Sequence, residues 1–179
     1  MRLLSLTLLA VPCAAAFAAS NTNELIDRGN DLLHKHQYAE AVKVLSKVIA
    51  QDPKNATAFD DRACAYVQLK QYRKAIEDEN KSITINDGNY LAHLNRGAAY
   101  LEVTDFKNAI ADSRRAHELK PSEPSALINL GKALYKSGDH KAARSAFSDA
   151  KKIYADSGLS KEAKELGTET EKEFGLKLD

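Results

Sequence analysis

The chain has no surplus of either charge: 26 lysines and arginines stand against 25 aspartates and glutamates, a formal net charge of +1. That balance argues against a nucleic-acid or membrane-surface protein, since either needs a basic excess on one face. Cysteine is nearly absent, with only Cys13 and Cys64. If the leading segment is removed, one thiol remains and no internal disulfide can form, even in an oxidising compartment. Stability must then come from packing. Long apolar runs are also missing, because the strongest, from Leu3 to Val11, is well short of the ~18 to 20 residues that a spanning helix needs.

Chemistry-bearing patterns are equally sparse. There is no glycine-rich phosphate loop and no Ser/His/Asp signature context. The histidines His34, His36, His93, His117 and His140 are scattered, and His34 and His36, two apart, point to different sides of a helix. They cannot chelate as an i, i+4 pair would. Cys64 has no neighbouring histidine and reads as a small apolar residue rather than a nucleophile. No catalytic set, metal site or cofactor is expected, and the chain is read as not an enzyme. The triplets Asn55-Ala56-Thr57 and Asn80-Lys81-Ser82 fit glycosylation acceptors, which matter only in a eukaryotic source.

Residues 1–18 read as a secretory signal. Arg2 supplies the early cation, Leu3–Val11 the apolar run, Pro12 a turn, and Ala16-Phe17-Ala18 the small residues a signal peptidase needs. A retained anchor is the rival reading. The residues before Cys13, Ala10-Val11-Pro12, do not resemble the approach to a bacterial lipoprotein cysteine. The expectation is an exported protein without stable membrane insertion after cleavage, periplasmic if bacterial and otherwise secreted.

The rest is one text written four times. Tyr90–Glu123 places small residues at Gly97, Ala109 and Ala116, large apolar ones at Tyr100 and Phe106, and a proline at Pro121. One period of about 34 residues back, the same positions hold Ala63, Tyr66, Tyr72 and Ala75. Two periods back they hold Gly29, Leu32, Tyr38 and Ala41, with Pro53; one period forward they hold Gly131, Leu134, His140 and Ala143. The copies span residues 22–55, 56–89, 90–123 and 124–157, and the first reads as helix near Asn23–Lys35, turn at His36-Gln37 and helix near Ala39–Gln51.

This unit resembles the tetratricopeptide repeat. The resemblance implies an all-α, right-handed superhelical solenoid of four helix-turn-helix repeats, each with an A helix and a B helix. Residues 158–179 would form a C-terminal capping helix and tail, helical from Ser160 to Phe174, with Ser160 as cap, Leu166 covering the last hairpin and the final residues frayed.

Several positions carry local expectations. Gly29, Ala63, Gly97 and Gly131 should face Ala41, Ala75, Ala109 and Ala143 at close approach. Arg62 and Arg96 stand where the repeat usually has a leucine, and sixteen residues later come Asp78 and Asp112. The expectation is an ion pair across each of those hairpins, with Arg28 reaching an acid of the next repeat. Glu79 and Ser113 replace the large residue seen at Leu45 and Phe147, so those B helices should pack less well. Gly88 should provide a left-handed stop where the second repeat lacks a proline.

The resemblance also implies a peptide-binding groove along the A helices, with Ile26, Asn30, Asp60, Cys64, Leu91, Leu94, Ala98, Ile128, Lys132 and Tyr135 facing it. Its middle reads as apolar and its last repeat as basic, which suits burial of an amphipathic partner. The lysine- and arginine-containing clamp with which some family members hold chaperone tails is absent, with Ile26, Asp61 and Leu91 among the residues in its place. The function expected is a non-catalytic scaffold of the cell envelope that binds a partner protein or peptide, without nucleic acid. The alternative is self-association into a homodimer through the same surface.

Overall fold

A computed structural model describes the backbone of residues 11–178 and the side chains from Thr22 to Leu178. The first ten residues of the expected signal lie outside the described residues, as do the side chains of the remainder. Among the described residues the structure is all helical: α1 (Val11–His34), α2 (Tyr38–Gln51), α3 (Ala56–Gln68), α4 (Tyr72–Ile85), α5 (Tyr90–Glu102), α6 (Phe106–Leu119), α7 (Pro124–Lys136), α8 (His140–Asp156) and α9 (Ser160–Phe174). Consecutive helices pair as hairpins, and each hairpin packs on the next, giving a solenoid. Successive A helices also touch, α1 with α3, α3 with α5 and α5 with α7, whereas successive B helices make no comparable contact. The A helices therefore lie on the inner side of the curve.

The turns repeat as faithfully as the helices. The N–H groups of Gln37, Gln71, Asp105 and Asp139 bond back to the carbonyls of Leu32, Tyr66, Tyr100 and Leu134 at 2.8–2.9 Å. This closes each A helix with a reversed turn that needs one left-handed residue. His36, Lys70 and Thr104 adopt it at φ of 57°, 57° and 62°, and only the fourth repeat uses glycine, Gly138 at 96°. Gly88 is not in that conformation. Instead α4 ends at Asn86 in extended backbone, and the Asn86 side chain accepts the Gly88 N–H at 3.2 Å. The asparagine side chain supplies the stop expected of the glycine. Asn55 is likewise in use, capping α3 by accepting the Ala58 N–H.

Packing between hairpins is alanine on alanine. Ala41 lies with Ala65, Ala75 with Ala99 and Ala109 with Ala133, each pair joining a B helix to the next A helix. Ala63 packs with Ala75 as expected and a methyl at Gly97 would lie 3.5 Å from the Ala109 carbonyl oxygen, but Gly29 and Gly131 have a different nearest neighbour from the one expected. A methyl at Gly29 would meet the Leu45 side chain at 2.7 Å and one at Gly131 the Phe147 ring at 2.8 Å, while one at Gly97 would stand 3.3 Å from Ser113 Oγ. The glycine makes room for the large B-helix residue sixteen positions on, rather than chiefly for the alanine. Where that residue is small or polar, the crowding eases.

Both expected arginine pairs form. Arg62 donates from Nε and Nη2 to the two oxygens of Asp78, and Arg96 to those of Asp112, all at 2.7 Å. A third donor reaches back one repeat, Arg62 to Ser46 Oγ at 2.9 Å and Arg96 to Asn80 Oδ1 at 2.7 Å. Each guanidinium thus ties three helices, and its planar fork fixes their register. Burial pushes the Asp112 carboxyl up, but hydrogen bonds from Arg96 and His93 hold it below the usual range. His93 is itself buried, with Nδ1 3.2 Å from Asp112 and Nε2 3.3 Å from the Asp87 carbonyl. Arg28 is exposed, and among the described residues it forms no ion pair with the second repeat.

The fourth repeat replaces this polar staple with an apolar cluster. Leu127, Leu134, Ala146, Phe147 and Leu166 bury together, and Leu130 packs against them. Helix α9 lies on α8, its N-cap is Leu159 rather than Ser160, and the Phe174 ring stacks on Phe147 at 5.3 Å. The tail does not fray over the described residues: Leu176 and Leu178 pack on the same cluster, and Lys151 Nζ donates to the Leu178 carbonyl at 3.1 Å.

Candidate functional site

The inner face is built from alternate helices, so its residues come from α1, α3, α5 and α7. Between α1 and α3 it opens a recess of about 420 Å³ lined by Asn30, Leu33, His34, His36, Tyr38, Asp61, Cys64 and Gln68. Two of the expected groove residues, Asn30 and Cys64, meet there. Ile26 is half-buried on α1, and on α5 Leu94 and Ala98 are half-buried while Leu91 is 42% exposed. Leu101, which heads the same apolar stripe, is taken into the core beside Ala109 and Ala133.

The fourth repeat contributes less free surface than the stripe suggests. Ile128 packs against the terminal apolar cluster. The Tyr135 ring lies 4.8 Å from Phe174 and 4.5 Å from His140, so the cap occupies it. Lys132 remains half-buried on α7.

The feature that the repeat positions did not predict is a carboxyl cluster centred on α3. Asp60 is held across the hairpin junction by Asn95 Nδ2 at 3.2 Å and Asn89 Nδ2 at 3.4 Å. Beside it, burial and the charge of Asp60 raise the Asp61 carboxyl to about 6, and Asp61 Oδ2 is buried without a hydrogen bond. Glu79 arrives from α4, wholly buried, beside Asp60 and Asn95. Burial above all, reinforced by Asp60, pushes it up to about 11, so it is held protonated at neutral pH. The signal was present in the sequence as an acid at a core position, but the groove positions count only A-helix residues and pass over α4.

Cys64 shares this environment. Its thiol is pushed up to about 11 by burial and by the carboxyls of Asp60, Glu79 and Asp61, which makes it a poor nucleophile at neutral pH. Among the described residues no group of His, Cys, Asp and Glu is arranged to hold a metal ion, and no helix is long and apolar enough to cross a membrane. What the inner face offers is shape, apolar surface and negative charge.

A family model for the tetratricopeptide repeat matches residues 26–90 and 94–158. The chain belongs to the tetratricopeptide repeat family. Solved structures share its fold: a MamA RS-1 double mutant superposes with a TM-score of 0.72 at 23% identity, covering 76% of each chain. The first tetratricopeptide domain of Spaghetti (RPAP3), bound to the HSP90 peptide SRMEEVD, gives 0.63 at 30% identity over 64% of this chain and 90% of that one. The second domain of human RPAP3, in complex with the HSP70 peptide SGPTIEEVD, gives 0.63 at 26% identity over 65% and 97%. Comparison with curated proteins finds no match.

Proposed function

We propose that this tetratricopeptide repeat protein is a non-catalytic scaffold of the cell envelope that holds a segment of a partner protein against its A-helix face. The observation that carries the reading is that this face stays open from α1 to α5, with a recess at Asn30 and Cys64 and the apolar Leu91, 42% exposed, beyond it. Apolar side chains beside a concave recess are a common setting for peptide docking. The peptide-bound RPAP3 domains support the same use of the fold. Their peptides end in acidic residues, and this face instead carries carboxyls and lacks the basic clamp, so its partner is of another kind. The leader Arg2, Leu3–Val11 and Ala16-Phe17-Ala18 supports export, to the periplasm in a bacterium.

In-cell photo-crosslinking from a probe at Leu94, with a control probe at the exposed Lys107 on α6, tests the reading. It expects Leu94 to trap a discrete foreign protein that Lys107 does not. Trapping only a second copy of the chain would replace the scaffold with a homodimer, and trapping nothing at Leu94 would remove the groove as a binding face.

A further inference from the structure

We propose that His93 is a proton-operated clamp: its imidazolium ties the loop between α4 and α5 to α6, and its neutral ring lets that loop go, so the junction of the second and third repeats responds to pH. Helix α5 begins at Tyr90, directly after this loop, and carries Leu91 and Leu94. The clamp therefore regulates the A-helix face, and that use of it rests on the reading of this face as the binding surface.

The first ground is what the two ring nitrogens meet. His93 is only 4% exposed. Its Nδ1 lies 3.2 Å from Asp112 Oδ1 on α6, and its Nε2 lies 3.3 Å from the Asp87 carbonyl oxygen and 3.4 Å from Asp87 Oδ1. A carbonyl only accepts. Asp112 also only accepts: burial pushes its carboxyl up, but hydrogen bonds from Arg96 and His93 hold it below the ordinary value, so it stays ionised. A neutral imidazole has one N–H and keeps its other nitrogen as an acceptor. Only the cation serves both oxygens. On losing a proton the ring keeps the stronger, charge-assisted bond to Asp112, and Nε2 turns a lone pair on the Asp87 carbonyl.

The second ground is that both partners of this contact differ from their equivalents together. At the same two positions the first junction has Pro53 and Phe59 and the third has Pro121 and Leu127, whereas the second has Asp87 and His93. In the other two junctions a ring of fixed φ stiffens the loop ahead of a buried apolar residue. The second loop lacks that ring, and its own closure is longer. The Asn89 N–H lies 3.4 Å from the Asn86 carbonyl, against 3.1 Å for Asn55 on Asp52 and for Glu123 on Lys120. The histidine contact supplies the tether that proline supplies elsewhere.

The third ground is that the charges around the ring are matched. Asp112 and Asp87 favour the cation. Arg96, bidentate on Asp112, and Arg115, 3.2 Å from Asp87 Oδ2, oppose it, as does burial. From α4, Asn80 bonds to Arg96 and Glu79 acts on that same arginine rather than bonding to the ring. With the signs matched, the number of acceptors served decides, and histidine is the side chain that changes charge between about pH 5 and 8.

The test is nitrogen NMR of the His93 ring and hydrogen exchange of residues 86–91, both on the full chain from about pH 5.5 to 8.5. Both ring nitrogens should be protonated at the acid end and only Nδ1 at the alkaline end. Exchange is referred to the equivalent loop 120–123, which cancels the intrinsic dependence on pH. Across the step, residues 86–91 should lose about tenfold in protection, the effect of one hydrogen bond to a charged group. His93→Leu installs the residue type of Leu127 and should remove the step. Asp87→Pro installs the residue of the other two junctions and should keep the loop protected at the alkaline end. Ring nitrogens fixed in one neutral tautomer throughout, no step in residues 86–91, a step that survives His93→Leu, or an Asp87→Pro loop that opens as readily as the native one overturns the proposal. The face is judged separately, because exchange needs no partner. With the step present, a Leu94 probe that traps nothing removes the groove and leaves the clamp; a foreign adduct at Leu94 without the step removes only the clamp.

Discussion

In the fourth hairpin Phe147 fills the space beside Gly131 and stacks on Phe174, whereas the equivalent position of the second hairpin holds Glu79, wholly buried and protonated. The two hairpins share one backbone plan, down to the left-handed turn residues Lys70 and Gly138. Their chemistry diverges in two places at once. The fourth hairpin has Leu130 and Ala146 where the second has the Arg62–Asp78 pair. The terminal hairpin has only the cap beyond it and is built for cohesion, while the second buries polar groups, of which the Arg62–Asp78 pair fixes the register of three helices.

The largest effect separating the two is expected from Phe147→Ala. Removing a fully buried ring that also anchors Phe174 should cost about 4 kcal/mol in denaturant unfolding, with α9 losing its hydrogen-exchange protection first. A loss confined to a fraction of that value would mean that the cap is held elsewhere.

Next comes Glu79→Leu, expected to stabilise by about 2 kcal/mol at neutral pH, because a wholly buried carboxyl gives way to the residue type found in the first repeat. The same carboxyl sets a pH dependence. Its folded value lies near 11 against an ordinary 4.5, so above the ordinary value the folded chain keeps a proton that the unfolded chain releases. Stability should therefore fall as pH rises across that window, by about 1 kcal/mol per pH unit from this group. Asp61 adds to the fall between its ordinary value of 3.8 and about 6. The groups facing Glu79 are Asp60 on α3 and Asn95 and Arg96 on α5. Asp112 acts in the opposite sense, and only at acid pH, because its folded value is already lowered. Urea midpoints at pH 5 to 8 should slope downward in the native chain and flatten in Glu79→Leu; parallel curves would contradict the buried, protonated carboxyl.

The glycines give the smallest and sharpest contrast. Gly131→Ala drives a methyl into the rigid Phe147 ring and should cost about 2 kcal/mol. A methyl in Gly97→Ala comes no closer than 3.3 Å, to Ser113 Oγ, with Asp112 Cβ at 3.4 Å and the Ala109 carbonyl oxygen at 3.5 Å, and the gain of about 1 kcal/mol in helix propensity should leave it near neutral. Equal losses at both sites would mean that the residue sixteen positions on does not set the spacing.

Much of this was legible in the sequence for a physical reason. A repeat states its packing rules several times over, so the helix positions and the Arg62–Asp78 and Arg96–Asp112 pairs could be read from equivalent residues, while the covering role of Leu166 followed from the need to cap an open end. What resisted reading was local or collective. Gly88 was expected to stop α4, but the Asn86 side chain competes for the same hydrogen bond. The tail looked free, yet Leu176 and Leu178 find the apolar end of the solenoid. The carboxyl cluster joins residues of different helices, and Glu79 belongs to the B-helix layer, so no single stretch announces it. Its one sequence signature was an acid where the repeat places a large residue.

The most direct test of the central claim is the yield of foreign adduct at the Leu94 probe and at the Lys107 probe of the native chain, measured side by side in cells. If the A-helix face is the binding surface, Leu94 should trap a discrete foreign protein that Lys107 does not. Equal foreign adduct at both probes, or none at Leu94, would contradict the account.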